Sequence, residues 1–168
     1  MLKGIPNSVS PDLMHALMSM GHGDELVLAD AHFPASSHAQ RLIRADGLDL
    51  STLLPAVMNF FPIDTFVEDH AVVMQVVDSK QAKPPIWEQF IQILSKSEGD
   101  WVNLTPIERF SFYNRAKSAY AIVATGETAF YANLILKRNH LVGSVKFTNL
   151  DSQDLQPTKD SLEWDGKV

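Results

Sequence analysis

An imidazole set between two glycines, in Gly21-His22-Gly23-Asp24, is the first feature of this chain able to do chemistry. Histidine ordinarily titrates near neutrality, so it can both give and take a proton. The flanking glycines leave room for a ligand to reach the ring. A polar loop histidine with no chemical role fits the same four residues equally well. Asp30 follows the apolar run Leu26-Val27-Leu28-Ala29. A carboxylate there can accept hydrogen bonds from ligand hydroxyls or orient His22, or it can be a turn residue bonding its own backbone. The Arg109 fork can hold ligand oxygens or stabilise developing negative charge, unless it is spent on a surface ion pair with Glu108 or Glu127. Tyr131 and Asn133 offer a hydroxyl, a ring face and an amide that both donates and accepts. An ordinary strand entry accounts for them as well.

Other constellations are weaker. Asp30, His32 and His38 superficially suggest metal ligands, but no compact helical or tetrahedral spacing joins them, so no metal is expected. His32 can instead brace a pocket, and His15 and His140 read as solvated or structural. Asp24-Glu25 suggests the paired carboxylates of a glycosidase, yet sequence neighbours entering a strand point apart. Cysteine is absent, which removes disulfides, thiolate metal sites and a Cys nucleophile. A net charge of -6 without any Lys/Arg run argues against nucleic acid or an anionic membrane as partner. The start Met1-Leu2-Lys3-Gly4-Ile5-Pro6 lacks the apolar core of a secretion signal, and no run is long enough to span a bilayer. These features predict a cytoplasmic protein handling a small molecule.

The elements that must position these residues follow from capping and periodicity. Ser10-Pro11-Asp12 opens a helix whose stripe is Leu13, Ala16, Leu17 and Met20, with Gly21 as its stop. Leu26–Ala29 predicts a buried strand ending at Asp30. Asp49 or Ser51 can cap a helix running to about Phe60, made short or kinked by Pro55. Ala71–Val77 predicts a central strand covered on both faces. Pro84-Pro85 starts a helix carrying Ile86, Phe90, Ile91 and Leu94 on one side. A helix from Phe110 to about Ala119 is followed by strands at Tyr120–Ala124 and Asn133–Lys137. This alternation predicts an α/β fold, a layered α/β/α sandwich around a mostly parallel or mixed sheet, in one domain over residues 1–147. Residues 148–168 are polar and predict a mobile tail that Trp164 can anchor.

Three blocks of the sequence are similar to the ribose pyranase and fucose mutarotase family, in its fucose branch. They are Met20–Glu25 with Ala29–Ala35, then Ile43–Gly47, then Arg109-Phe110 through Phe112-Tyr113 with Thr125-Gly126-Glu127; Tyr131–Lys137 continues the match. The likeness spans most of residues 1–138 in order and spacing. Ala132 stands where the fucose branch usually has glycine, the stretch 78–103 matches poorly, and the polar tail after Leu141 has no counterpart in the typical member.

The resemblance implies a cofactor-free isomerase that exchanges the anomers of a monosaccharide, L-fucose before D-ribose, by opening and reclosing the ring. It implies His22 as the catalytic proton-transfer residue and Asp30, Arg109, Tyr131 and Asn133 as substrate-binding residues. It also implies a ring-shaped homo-oligomer, typically a decamer, with sugar sites near subunit interfaces. Aromatics at expected element ends, Phe60-Phe61-Pro62-Ile63 and Phe130-Tyr131, are as often core edge as interface, so they are candidates for either. A non-catalytic sugar-binding or transport-accessory protein would keep the same hydroxyl-recognising groups, so residues alone leave binding and turnover open.

Overall fold

A computed structural model describes residues 2–77 and 83–140; the predicted tail at 148–168, Trp164 included, lies outside them. The chain forms α1 (Pro11–Ser19), β1 (Glu25–Ala29), α2 (Ala35–His38), β2 (Leu42–Ala45), α3 (Leu50–Met58), β3 (Ala71–Met74), α4 (Pro85–Glu98), β4 (Thr105–Ile107), α5 (Arg109–Ser118), β5 (Ala121–Thr125) and β6 (Leu134–Lys137). The strands build one mixed sheet in the order β2-β5-β1-β6-β3-β4. Five strands run parallel, and β6 lies antiparallel between β1 and β3.

Period-two alternation divides the core between the two faces of this sheet. On one face Leu26, Leu28, Val73, Val123, Leu134 and Leu136 pack beneath α1, α3 and α4, which contribute Leu13, Leu17, Leu53, Leu54, Val57, Phe90 and Leu94. On the other, Val27, Ala29, Val72, Ile122 and Ile135 meet Phe33, Phe112 and Ala116 of the α2–α5 side. The layered α/β/α sandwich is therefore the observed architecture.

Local chemistry sets the element ends. The Leu13 N–H donates to Ser10 Oγ, and Pro11 occupies the first turn of α1. Asp49, rather than Ser51, caps α3 by accepting from the Thr52 N–H, and Pro55 lies inside that nine-residue helix. The strand expected over 71–77 stops at Met74. Its ladder with β6 runs out where Val73 faces Leu134, and β4 opposite is three residues long. Val76 and Val77 have strand-forming side chains, but among the described residues no partner strand pairs with them. Phe61 and Ile63 are almost wholly buried in the core, so of the two readings open for this element end the core one holds for them.

One polar clamp ties the layers together. The Arg115 guanidinium, late in α5, donates to the Glu25 carboxylate at the mouth of β1 and to Asp69 just ahead of β3, with N–O distances of 2.6 Å to each. Burial raises the Asp69 carboxyl, but the bonds and charge of Arg115 outweigh it and hold the group below the ordinary aspartate value. Replacing Arg115 by Met strands the mostly buried Glu25 carboxylate, with only Lys137 at 3.8 Å to compensate. Urea titration of Arg115→Met should show a loss of about 3 kcal/mol, the cost of breaking a largely buried pair from one side.

Candidate functional site

The residues singled out for chemistry lie at two opposite edges of the sheet. Asp30, Asn133, Tyr131 and Arg109 gather at the edge where the parallel strands end. His22 lies at the other edge, in the loop that enters β1. The strand between them is five residues long, roughly 17 Å at ~3.3 Å per residue. One copy of the chain therefore does not bring His22 to Asp30.

At the first edge Asp30 and Asn133 form a reciprocal pair across the β1–β6 ladder. The Asp30 backbone N–H donates to Asn133 Oδ1 at 3.0 Å, and Asn133 Nδ2 donates to Asp30 Oδ2 at 2.7 Å. The His32 N–H donates to Asp30 Oδ1 at 3.0 Å, which is the Asx-type turn that the sequence allowed. Both side chains are buried. Desolvation raises the Asp30 carboxyl above the ordinary aspartate value, against the His32 and Asn133 hydrogen bonds that lower it. Thr125 and Glu127 brace this edge from β5. Thr125 Oγ1 donates to the Ala29 carbonyl, and the Ala31 N–H donates to the Glu127 carbonyl, each at 2.8 Å.

Around this pair stand flat rings. His32 stacks on Phe130 with centroids 5.6 Å apart and planes 18° apart, so the bracing role suits it. Phe130 is exposed. His38 turns instead toward Phe33 and Tyr113. Among the described residues no three His, Asp or Glu side chains are arranged to hold a metal. Arg109 opens α5 with its guanidinium 5.9 Å from the ring centres of both Phe110 and Tyr113. The ion pair considered for it does not form. Glu108 caps α5 by accepting from the Phe110 and Ser111 N–H groups, and the buried Glu127 carboxylate accepts from Leu50 and Ala129 N–H.

Tyr131 has the left-handed φ of 59°, an unusual conformation for a residue with a Cβ. Its carbonyl accepts from Trp87 Nε1 at 3.1 Å, which helps hold the turn. The strained position falls on Tyr131 rather than on Ala132, which is fully buried in the core. Tyr131 and Phe130 also line an open cavity of about 990 Å³ between the starts of α3 and α4, with Asp49, Ser51, Gln89 and Glu127. Asp30, Asn133 and Arg109 do not line it, so that cavity adjoins the Asp30 cluster without containing it.

At the second edge the His22 ring is exposed. Its loop turns through Gly23 at φ +83°, a conformation that suits glycine, and is pinned by Gly23 N–H to the Arg138 carbonyl at 2.8 Å. Asp24 and Glu25 do diverge: Asp24 accepts from the Gly21 N–H, while Glu25 holds Arg115. Sequence reasoning gave Phe66 and Asp64 no role and read His140 as solvated or structural. Phe66 and His140 put their ring centres 5.9 Å and 5.2 Å from that of His22. Asp64, almost fully buried, accepts from the Phe66 N–H at 2.9 Å. Only the pairing of β1 with β6, and the return of the 62–66 segment beside it, reveals these contacts. No spacing within the sequence announces them.

The chain has close relatives among known proteins. Over 143 residues the chain is 51% identical to the fucose mutarotase of Danio rerio, covering 82% of this chain and 92% of that one. It is 51% identical over 146 residues to the fucose mutarotase of Homo sapiens, covering 83% and 94%. A crystal structure of the fucose mutarotase from Streptococcus pneumoniae in complex with L-fucose superposes with a TM-score of 0.80 at 47% identity, covering 84% of this chain and all of that one. The structure of Bacillus subtilis RbsD complexed with D-ribose shares the fold alone, with a TM-score of 0.65 at 19% identity. The profile of the RbsD / FucU transport protein family matches residues 3–140, and the chain belongs to that family.

Proposed function

We propose that this protein is an L-fucose mutarotase, a cofactor-free isomerase that exchanges the α and β anomers of the sugar. The observation that carries the reading is the desolvated Asp30 carboxylate, fixed by Asn133 and His32 beside exposed rings, in a chain close over its whole fold to an L-fucose-bound mutarotase. A buried carboxylate with acceptor capacity to spare suits a pair of neighbouring hydroxyls, and the Phe130 face suits the C–H side of a pyranose. Asn133, Tyr131 and Arg109 supply further polar contacts to the ring and its substituents.

Mutarotation breaks the bond between the anomeric carbon and the ring oxygen. A proton reaches the ring oxygen while another leaves the anomeric hydroxyl, giving the open aldehyde. Rotation about the bond from the carbonyl carbon to its neighbour presents its other face, and closure reverses the proton transfers. His22 is the proton carrier, since an imidazole has one ring nitrogen that can accept a proton and another that can donate one.

His22 and Asp30 lie across the sheet from one another, so the working site pairs His22 of one copy with Asp30 of the next. That requires a closed homo-oligomer, and ten copies is the number the family resemblance implies. Phe66 and Met18 at the His22 edge, and Phe110 and Phe130 at the Asp30 edge, are the exposed apolar groups such contacts would cover. The protein then works as a soluble cytoplasmic enzyme, and none of its described helices is long and apolar enough to cross a membrane.

Saturation-transfer NMR on equilibrated L-fucose should show exchange between the anomer signals. Line broadening without exchange would instead indicate a binder, and faster exchange with D-ribose a pyranase. His22→Ala should keep the fold and lose about 10²–10⁴-fold in rate, the usual contribution of a general acid–base group. A well-folded His22→Ala protein at the parental rate would falsify that assignment.

The shared site has its own test. His22→Ala and Asp30→Asn proteins, each slowed but still measurable, should regain part of the parental rate when dissociated and reassembled together. Mixed assemblies unite an intact His22 with an intact Asp30, and no recovery in assemblies shown to be mixed would place the whole site within one copy.

The raised Asp30 carboxyl sets a pH dependence. The folded chain holds this proton to higher pH than the unfolded chain does, so between the two titration points stability falls as pH rises. Protonation also removes an acceptor for sugar hydroxyls. KM for L-fucose should therefore begin to rise, as pH drops, before an exposed aspartate would titrate. Asp30→Asn should abolish this acid limb, and a limb that survives the substitution belongs to another group.

A further inference from the structure

We propose that His140 is a positioning residue, whose ring holds the His22 imidazole in the orientation that proton transfer needs. The inference rests on His22 being the proton carrier. An acid–base nitrogen must come within hydrogen-bond reach of the oxygen it serves, about 2.6–3.2 Å. An exposed histidine free about χ1 and χ2 spends much of its time elsewhere. Commonly a hydrogen bond to the second ring nitrogen fixes such a ring. Among the described residues the His22 ring makes no hydrogen bond within its own chain, and packing takes that part.

The packing is specific. His140 meets His22 with ring centres 5.2 Å apart and planes at 75°. Behind it Phe66 stacks on His140 at 5.8 Å and 14°, and Phe66 also meets His22 nearly at right angles, 5.9 Å away. Two nearly parallel rings thus present a wall to a third that stands perpendicular to both, the edge-to-face geometry aromatic rings prefer. The wall is anchored through the backbone. The Asn139 N–H donates to the Pro62 carbonyl at 2.9 Å, Asn139 Nδ2 to Thr65 Oγ1 at 3.2 Å, and the His140 N–H to Asn139 Oδ1 at 2.8 Å. The Phe66 N–H is held by Asp64. The His22 loop is tied to the same strand end, with Arg138 N–H donating to the Asp24 carbonyl at 2.9 Å. The side chains of His140 and Phe66 are both exposed, so neither has a place in the core to explain this arrangement.

The test measures kcat and KM for L-fucose anomer exchange by saturation-transfer NMR, using the full chain in its native assembly. His140→Ala should lower kcat about tenfold or more, since small misplacements of a reacting group cost on that scale, with KM within about twofold of the parent by the same reasoning. His140→Phe keeps a ring against His22 and Phe66 and should restore most of the rate. Parental kcat in His140→Ala would overturn the proposal. So would a His140→Phe protein as impaired as His140→Ala, because the ring nitrogens rather than the packing would then matter. A folded His22→Ala protein run alongside separates the two readings. If it is inactive while His140→Ala is unimpaired, only the positioning role fails. If it is fully active, the reading of His22 fails and takes this one with it.

Discussion

The antiparallel insertion of β6 between two parallel strands is the constraint on which both halves of the site depend. Residue by residue it pairs Leu134 with Leu28 and Lys137 with Glu25. Just before its start it delivers Asn133 to Asp30, at the edge where β1 ends. Just after its finish it delivers Arg138 to the His22 loop and His140 to the His22 ring. A slip of one residue would exchange the two faces of β6 and send Leu134 and Leu136 out of one core into the other. The apolar burial of those residues therefore fixes the register, and the register in turn fixes the polar partners at either end. Function is set by packing far from where the chemistry occurs.

The Asp30–Asn133 pair shows why that precision matters. A carboxylate removed from water is costly unless its lone pairs find donors, and each donor here comes from a rigid element. Asn133 is held by the ladder, and the His32 N–H by the turn that Asp30 itself nucleates. Burial still prevails, since the carboxyl remains above its ordinary value. A group poised in this way binds a hydroxyl more strongly than a solvated carboxylate would, because water competes less for its lone pairs. Glu127 shares the edge and likewise has one donor on each oxygen, but both are backbone N–H groups, those of Leu50 and Ala129. That carboxylate shapes the loop, and Gly126 beside it leaves no room for a Cβ against the Asp46 carbonyl.

Most of the central elements were legible from sequence because their signals are local. The Ser10 cap, the Leu13–Leu17 stripe and the continuous apolar runs of β1 and β5 need no distant partner to be read. The edge strands were not legible. β2 is four residues long and mostly exposed, and β4 contains Pro106, which an edge tolerates but which argues against a strand in any local reading. β3 was read too long because strand propensity continues past the point where partners end. At the site, Asp30 was expected at the end of a strand and Asn133 at the entry of another, yet their mutual bonding is a contact between residues 103 apart in sequence. The packing of Phe66 and His140 on His22 was hidden for the same reason. Phe61 stayed open between core and interface because an aromatic at a helix end looks alike from sequence whether it turns inward or outward.

The division of the site between two edges bears on the form an assembly can take. In the assembly proposed above, a contact joining the His22 edge of one copy to the Asp30 edge of another uses different surfaces on the two partners. A two-fold pair satisfies it only by setting two copies side by side in opposite directions, so that each His22 edge meets the other's Asp30 edge; otherwise the contact is heterologous and repeats head to tail. Repeated, it closes into a ring when the rotation between neighbours divides a full turn, and otherwise runs on as a filament. Closure gives every copy a complete site, whereas an open chain always leaves an unmatched His22 at one end and an unmatched Asp30 at the other. An edge-to-edge active site thus favours rings over open assemblies on functional grounds, independently of any gain from covering Phe66, Phe110 and Phe130. In that assembly the His22 ring, exposed in the single chain, would face the neighbouring copy, with Phe66 and His140 packed behind it.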